Sequence, residues 1–132
     1  IGEVAFETYL EETSWMYESK GGYTDPDFYI IDKNPFSTDY RYSVDVKTRI
    51  DPSNRDLIIR RDNTHDFYML QYVKWQNERD QQEVESIEIR GFISLTEAQE
   101  VGEPFTPYSS QNNRPKLLID EQYINPLFSF VV

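Results

Sequence analysis

Two short motifs, Pro26-Asp27 and Asp45-Val46-Lys47, contain the residues of this chain best suited to chemistry. Each motif lies at the edge of, or inside, an apolar run that is typical of a β-strand. Two carboxylates and a lysine are the side chains that Mg²⁺-dependent hydrolysis of a phosphodiester needs, since Mg²⁺ prefers oxygen ligands and is usually held by one or two carboxylates. The motifs therefore predict a site for that reaction if the fold brings them together.

The second motif should present Asp45 and Lys47 on the same face of a strand. Apolar and polar residues alternate over residues 41–50, and side chains two apart in a strand point to the same side. Val46 then points the opposite way, into apolar packing, and offers only its backbone carbonyl as a ligand. Taken alone, Asp45 and Lys47 also fit an ordinary ion pair on the exposed face of a strand.

Asp27 directly precedes a short apolar run, residues 28–32, that predicts the neighbouring strand. From the start of that strand its carboxylate can approach the face that carries Asp45. Asp25 is close enough to be the ligand instead, and Asp27 is favoured because the strand follows it at once. Lys47 could orient the attacking water, accept its proton or stabilise the transition state, and the sequence leaves these three roles open.

A helix predicted over residues 2–18 and ended by Gly21-Gly22 adds a third acidic residue. On a helical wheel Glu3 lies about 60° from the centre of the apolar stripe and Glu7 about 100° from it, at about 100° per residue. Glu3 can therefore flank the buried face and reach toward the edge of a sheet, whereas Glu7 is expected to face solvent. The stripe has spacings of three and four and consists of Phe6, Tyr9, Leu10, Thr13 and Tyr17.

The net charge of −11 argues against a nucleic-acid partner, because phosphate binding normally requires a basic surface. Residues 41–61 are the exception, with six basic residues against three acidic ones. An acidic exterior would confine DNA to the face that this segment forms. Contact with phosphate and pairing with the abundant carboxylates are equal alternatives for four of its arginines: Arg49, Arg55, Arg60 and Arg61.

The remaining chain predicts strands over residues 67–75 and 84–95, with Gly91 at a bulge or close approach. A short helix capped by Thr96 should follow, then a loop over 102–116 and a last strand or short helix. Residues 53–66 fit no single type of element. Because helices and strands do not alternate regularly, we expect an α/β or α+β fold with a mixed central sheet, in one domain spanning 1–132.

Composition narrows the environment of the protein. The chain has no cysteine, so it has neither disulfides nor a thiolate zinc site. No apolar run approaches the roughly 20 residues needed to cross a bilayer, and no signal peptide is visible, so no membrane partner is expected. Both features are consistent with a cytoplasmic protein.

The order of the chemical residues resembles that of the PD-(D/E)XK nuclease superfamily, whose restriction-endonuclease-like fold is shared by Holliday junction resolvases. Glu3 would lie on the first helix, Pro26-Asp27 before one strand and Asp45-Val46-Lys47 in the next. The two later strands are also similar to those of small members, so the resemblance covers most of residues 2–100. It implies a mixed central sheet flanked by helices.

The same resemblance implies a DNA endonuclease that uses Mg²⁺ or Mn²⁺, with the structure-specific activity of resolvases. Lys47 would serve the nucleophile. A homodimer would supply two sites for two strands, and targeting would come from this domain or from a protein partner. The residues implied to hold the metal are Asp27, Asp45, Val46 through its carbonyl, and Glu3 directly or through a water.

A second hypothesis is a catalytically silent binding or assembly module whose acidic surface engages a basic protein. Two further residues have a weaker claim to function. His65 is the only histidine and cannot build a metal centre alone. Gln71 begins a Gln-x-x-x-Trp pattern that resembles a glutamine motif of RecB-type nucleases, but that motif requires a helix where the sequence predicts a strand.

Overall fold

The computed structural model describes two helices, eight strands and one 3₁₀ turn, which are named here in chain order. The described residues are 2–12, 17–19, 27–31, 41–50, 56–75, 84–105 and 115–127. The elements are α1 (Gly2–Glu12), β1 (Tyr17–Ser19), β2 (Phe28–Ile31), β3 (Arg41–Ile50), β4 (Leu57–Arg60), β5 (Phe67–Trp75), β6 (Val84–Ser94), α2 (Leu95–Val101), β7 (Glu103–Phe105), β8 (Lys116–Ile119) and the 3₁₀ turn Glu121–Tyr123.

The strands form two sheets. The larger sheet has the order β1-β2-β3-β5-β6, and the smaller one has the order β4-β8-β7. In the larger sheet β3 and β5 run parallel, and the other neighbours are antiparallel. The expected mixed central sheet of an α+β fold is therefore confirmed, and a second, antiparallel sheet is added to it.

Each face of the larger sheet packs against its own layer. On one face, Phe6 and Leu10 of α1 are fully buried in a cluster that includes Val44 and Val46 of β3. On the other face, Leu70 and neighbouring residues of β5 pack against the smaller sheet and α2. Because side chains alternate along a strand, the odd-numbered residues of β3 point away from α1 and toward the side of the smaller sheet.

The predicted first helix is too long. α1 ends at Glu12, and Tyr17, expected on its apolar stripe, begins β1 instead. The stripe still packs as predicted at Phe6 and Leu10, while Thr13 lies outside the described residues. The Tyr17 hydroxyl lies 3.0 Å from Oε1 of both Glu7 and Glu11, so Glu7 is half-buried against β1 rather than facing solvent.

Two more local predictions need correction. The cap of α2 is Ser94 rather than Thr96, because the Ser94 hydroxyl accepts a hydrogen bond from the backbone of Glu97. The segment predicted as a loop over 102–116 contains β7 and the first residue of β8. The tail contributes the 3₁₀ turn and then a bridge from Asn125 to β6.

Candidate active site

Asp45 and Lys47 lie together on β3, on the face that points away from α1. The Lys47 ammonium is 2.7 Å from Oδ2 of Asp45. The aspartate side chain is 15% exposed and the lysine side chain 36% exposed, so the pair lies at the boundary between the protein interior and solvent. Val46 between them is buried on the α1 side, as the alternation predicted.

Asp27 reaches the same place from the adjacent strand. Its Oδ2 atom accepts a hydrogen bond of 2.7 Å from the backbone N–H of Val46. Phe28 pairs with Val44 in antiparallel register, and continuing that register by one residue sets Asp27 beside Asp45. Residues directly opposite one another on antiparallel strands share a face, so the two carboxylates belong to one cluster.

The backbone of Val46 completes this arrangement. In a strand the N–H and C=O of one residue point to the same neighbour, which is how opposite residues exchange two hydrogen bonds. Because the Val46 N–H points to Asp27, its carbonyl oxygen is also directed to the β2 side. The Asp27 and Asp45 carboxylates and the Val46 carbonyl are hard oxygen donors of the kind that Mg²⁺ and Mn²⁺ accept.

The predicted third acid is less well placed by its helix. α1 packs on the face of the larger sheet opposite to Asp45 and Lys47, and the Glu3 side chain lies outside the described part of the structure. Within the described residues, no group of three or more aspartate, glutamate, histidine or cysteine side chains is arranged to hold a metal ion. The described oxygen donors near Asp45 are therefore two carboxylates and a carbonyl, and an ion held by so few protein ligands would have to keep several waters.

His65 and Tyr68 adjoin this site, although no sequence motif selects them. His65 lies in the turn between β4 and β5 and is only 7% exposed. Its backbone N–H donates a 2.9 Å hydrogen bond to the Tyr68 hydroxyl, and the two rings are 6.1 Å apart. Tyr68 in turn is the register partner of Asp45 on β5. The parallel pairing of β3 and β5 brings this pair to the site, and no local sequence pattern contains that information.

Burial and nearby charges set the protonation of these two residues. Burial lowers the pKa of His65, opposed by the Asp45 carboxylate and reinforced by the Lys47 ammonium. Burial also raises the pKa of Tyr68 to about 12, with a further increase from Asp45. The site therefore places a neutral imidazole and a protonated phenol beside the Asp45–Lys47 ion pair.

A second contact fixes the turn before β5 to β3. The Asp66 carboxylate accepts hydrogen bonds from the backbone N–H and the hydroxyl of Ser43, and the Ser43 hydroxyl accepts one from the backbone of Asp66. Ser43 lies two residues before Asp45 on the same face of the strand. This reciprocal set of bonds holds the His65 turn over the candidate site.

The predicted phosphate-binding arginines differ in their surroundings. Arg49 lies on the face of Asp45 and Lys47, in register with Tyr72, and is half-buried. Arg60 forms two bonds to Asp62, at 2.9 and 3.1 Å, so its charge is matched locally. Arg61 is exposed. Arg55 lies outside the described residues.

Gln71 is on strand β5, so the helical glutamine motif is excluded. The residue is fully buried, and both polar atoms of its side chain have no hydrogen-bond partner among the residues that the structure describes. Its neighbour Met69, two residues away, belongs to the α1 side of the sheet. Gln71 therefore does not contribute to the face that carries Asp45.

No protein-family model matches the chain, and a comparison with curated proteins finds no match. No helix of the described residues is long and apolar enough to cross a membrane.

Proposed function

We propose that this protein is a metal-dependent nuclease that hydrolyses phosphodiester bonds of DNA, using Mg²⁺ or Mn²⁺. The observation that carries the proposal is the meeting of Asp27, at the start of β2, with Asp45, Lys47 and the Val46 backbone in the middle of β3. These groups come from two separate sequence motifs, and an ordinary surface ion pair would not require Asp27 beside it.

A divalent ion at this site would lower the pKa of a bound water and polarise the scissile phosphate. The residues of the chain would do the rest. Asp27 is held by the Val46 N–H, and Asp45 holds the Lys47 ammonium at 2.7 Å. Lys47 is thereby positioned beside the carboxylates, where it can orient the attacking water or stabilise negative charge on the phosphate.

DNA is the proposed substrate because of the resemblance to PD-(D/E)XK nucleases and the location of the cations. Arg49 shares the face of the site, and Arg61 presents an exposed guanidinium near the turn that carries His65. By the same resemblance we propose a homodimer with two sites, acting on branched DNA inside the cell. The resemblance alone supports Glu3 as a further ligand, directly or through a water.

The test is a cleavage assay on duplex and branched DNA with Mg²⁺ and with Mn²⁺. Asp45→Asn and Lys47→Ala should each lower the rate by about 10²–10³, the usual cost of removing one preorganised electrostatic group. Glu88→Gln and Thr48→Ala are matched controls, because both residues are exposed, Glu88 lies on the edge strand β6, and Thr48 points to the face of β3 opposite to Lys47. Cleavage that persists in the Asp45 and Lys47 variants at wild-type rates would refute the assignment.

The alternative is a binding module for a basic protein, and one cavity favours it. A cavity of about 160 Å³ is lined by three carboxylates, those of Asp56, Glu103 and Asp120. This alternative predicts no specific affinity for Mg²⁺ or Mn²⁺ at Asp27 and Asp45. Titration calorimetry of the protein and of Asp45→Asn separates the two: heat that is saturable in the first and lost in the second supports the nuclease.

A further inference from the structure

A second cavity lies beside the turn that joins β4 to β5. It has a volume of about 330 Å³, which is at the lower end of the roughly 300–1,000 Å³ typical of small-ligand sites. Its floor is apolar and comes from three different elements, β4, α2 and β8. Its rim is polar. The floor residues are Ile59, Leu95 and Leu117, and the principal rim residues are Arg61, Thr64 and Gln99.

The charge at this rim is unusual for so acidic a protein. Arg61 is exposed, and no described residue pairs with its guanidinium, whereas the adjacent Arg60 is held by two bonds to Asp62. The backbone of Arg61 is fixed, because its N–H donates to the Pro115 carbonyl at 3.0 Å. The planar guanidinium of such an arginine can form two parallel hydrogen bonds with two oxygens of an anion such as a phosphate.

The cavity adjoins the candidate active site through consecutive residues. Thr64 lines the cavity, and His65, the next residue, lies close enough to Asp45 and Lys47 for both charges to act on it. Asp66 then connects both sides, since its carboxylate bonds to Ser43 of β3 and its carbonyl accepts from the Leu95 N–H at 2.9 Å. Consecutive Cα atoms are about 3.8 Å apart, so this turn carries a residue of the cavity directly beside a residue of the site.

We propose that this cavity binds one nucleotide of the DNA strand that is cleaved, a unit next to the scissile phosphate. Arg61 holds the phosphate of that nucleotide, and the base lies on the apolar floor of Ile59, Leu95 and Leu117. Gln99 and Thr64 supply polar groups at the edge of the base. This inference rests on the proposed nuclease function, and it assigns the contact that would position the strand.

The binding test uses the whole protein in EDTA, so that no cleavage is needed. Three probes are titrated and followed by the NMR shifts of backbone amides: a six-nucleotide DNA strand, deoxyadenosine monophosphate and inorganic phosphate. The strand should give saturable shifts at residues 59–64 and 95–102. It should bind about tenfold or more tightly than the mononucleotide, because neighbouring nucleotides add contacts.

Substitutions at the rim of the cavity test whether the charge there changes the affinity for the strand in the expected direction. Gln99→Glu should weaken binding of the strand several-fold and Gln99→Lys should strengthen it, because a charge at this rim acts on the nearby phosphate that Arg61 holds. Gln122→Glu makes the same chemical change at an exposed residue outside this cavity and should leave binding unchanged. Thr64→Trp fills the cavity without changing charge and should lower the affinity about tenfold.

Several outcomes would overturn the inference. If the amide shifts caused by the strand are the same in both Gln99 variants and in Thr64→Trp as in the wild type, the strand binds elsewhere. Inorganic phosphate that binds as tightly as the nucleotide would mean a site for an anion only, and a mononucleotide as tight as the strand would mean a free nucleotide rather than the substrate. Loss of the proposed function has a separate signature: no metal-dependent cleavage, while saturable binding at this cavity persists.

Discussion

At the scale of single residues, the Asp45–Lys47 pair gains its meaning from Asp27. An exposed ion pair by itself contributes about 0–1 kcal/mol, so its presence alone would explain nothing. Asp27 brings a second carboxylate beside Asp45, and adjacent carboxylates repel unless a cation intervenes. Lys47 neutralises one of them. A divalent cation at the same position would offset the remaining negative charge, so the cluster is stabilised by the ligand that the proposed reaction requires.

Tyr68 links the site to the stability of the fold. Its hydroxyl is the acceptor for the buried N–H of His65 at 2.9 Å. Tyr68→Phe removes that acceptor while keeping the ring, and an unsatisfied buried donor costs about 1–3 kcal/mol. We expect the free energy of unfolding, measured with urea, to fall by about that amount. Tyr123→Phe is the control. Tyr123 is 43% exposed, so loss of its hydroxyl should change the free energy of unfolding little.

His65 predicts a dependence of stability on pH. Its pKa is lowered in the folded protein because burial disfavours the charged imidazolium. The unfolded chain therefore binds more protons as the pH falls below about 6.5, and folding stability falls with it. The contribution of neutral His65 to folding stability is complete above the pKa of His65 in the unfolded chain and is lost below its pKa in the folded protein.

The measurement is the free energy of unfolding at several pH values for the protein and for His65→Gln. The variant cannot take up this proton, so its stability should decline less steeply between pH 7 and pH 5. Identical slopes would show that His65 titrates alike in the folded and unfolded states. Asp and Glu titrations are common to both proteins and cancel in the comparison.

At the scale of elements, the sequence predicts a helix or strand best where a single hydrophobic pattern identifies it. The bounds of β3 and β5 follow from alternation and from an uninterrupted apolar run, and both are confirmed. The overlong first helix arose because Tyr17 continues the helical stripe, while its actual packing against Glu7 and Glu11 is tertiary. β4 and β7 have only four and three residues, which is too short for a periodic signal.

The residues of the candidate site likewise differ in how far the sequence predicts them. Asp27, Asp45 and Lys47 were predicted because each stands in or beside a recognisable strand. The position of His65 depends on the parallel pairing of β3 with β5 and on the Asp66–Ser43 bonds, which join residues 23 positions apart. No local pattern contains that information, so a histidine in a polar turn gave no useful signal.

Gly91 lies where the sequence predicts a bulge or a close approach of another backbone segment. It has φ = +154° and lies at the register shift between β5 and β6. A Cβ atom there would come within 2.0 Å of the Asn125 carbonyl oxygen. Gly91→Ala must therefore displace the segment that bridges to Phe92, and we expect a loss of more than about 3 kcal/mol, at the upper end for single substitutions.

The measurement is again urea unfolding, with Ser86→Ala as the control on an exposed position of the same strand. The control should remain within about 0.5 kcal/mol of the wild type. A Gly91→Ala protein as stable as the wild type would mean that the Asn125 bridge is dispensable, and that the bulge alone determines the glycine.

At the scale of the whole molecule, charge limits how DNA can bind. The chain carries a net charge of −11, so most of its surface repels phosphate. Outside the proposed face there is at least one cavity lined by carboxylates. Binding should therefore depend on few cations held on one side, rather than on a broad basic surface. The described cations there include Lys47 and Arg49 on the face of the site and Arg60 and Arg61 at the adjoining cavity.

A small number of phosphate contacts has a measurable consequence. Each contact to duplex DNA contributes about −0.9 to the slope of log K against log salt, so four contacts give about −3.6 per protein chain. We expect a slope no steeper than about −4 for Asp45→Asn in EDTA, measured by fluorescence anisotropy on a labelled duplex. Arg49→Ala and Arg61→Ala should each make the slope shallower by about 1. Arg90→Ala should not, because Arg90 lies on the edge strand β6 and is paired with Glu121. A slope of about −7 would double the number of contacts, as two chains on one DNA would. A slope near zero would remove DNA as the substrate, because cleavage without phosphate contacts would leave the arginines of this face without a role.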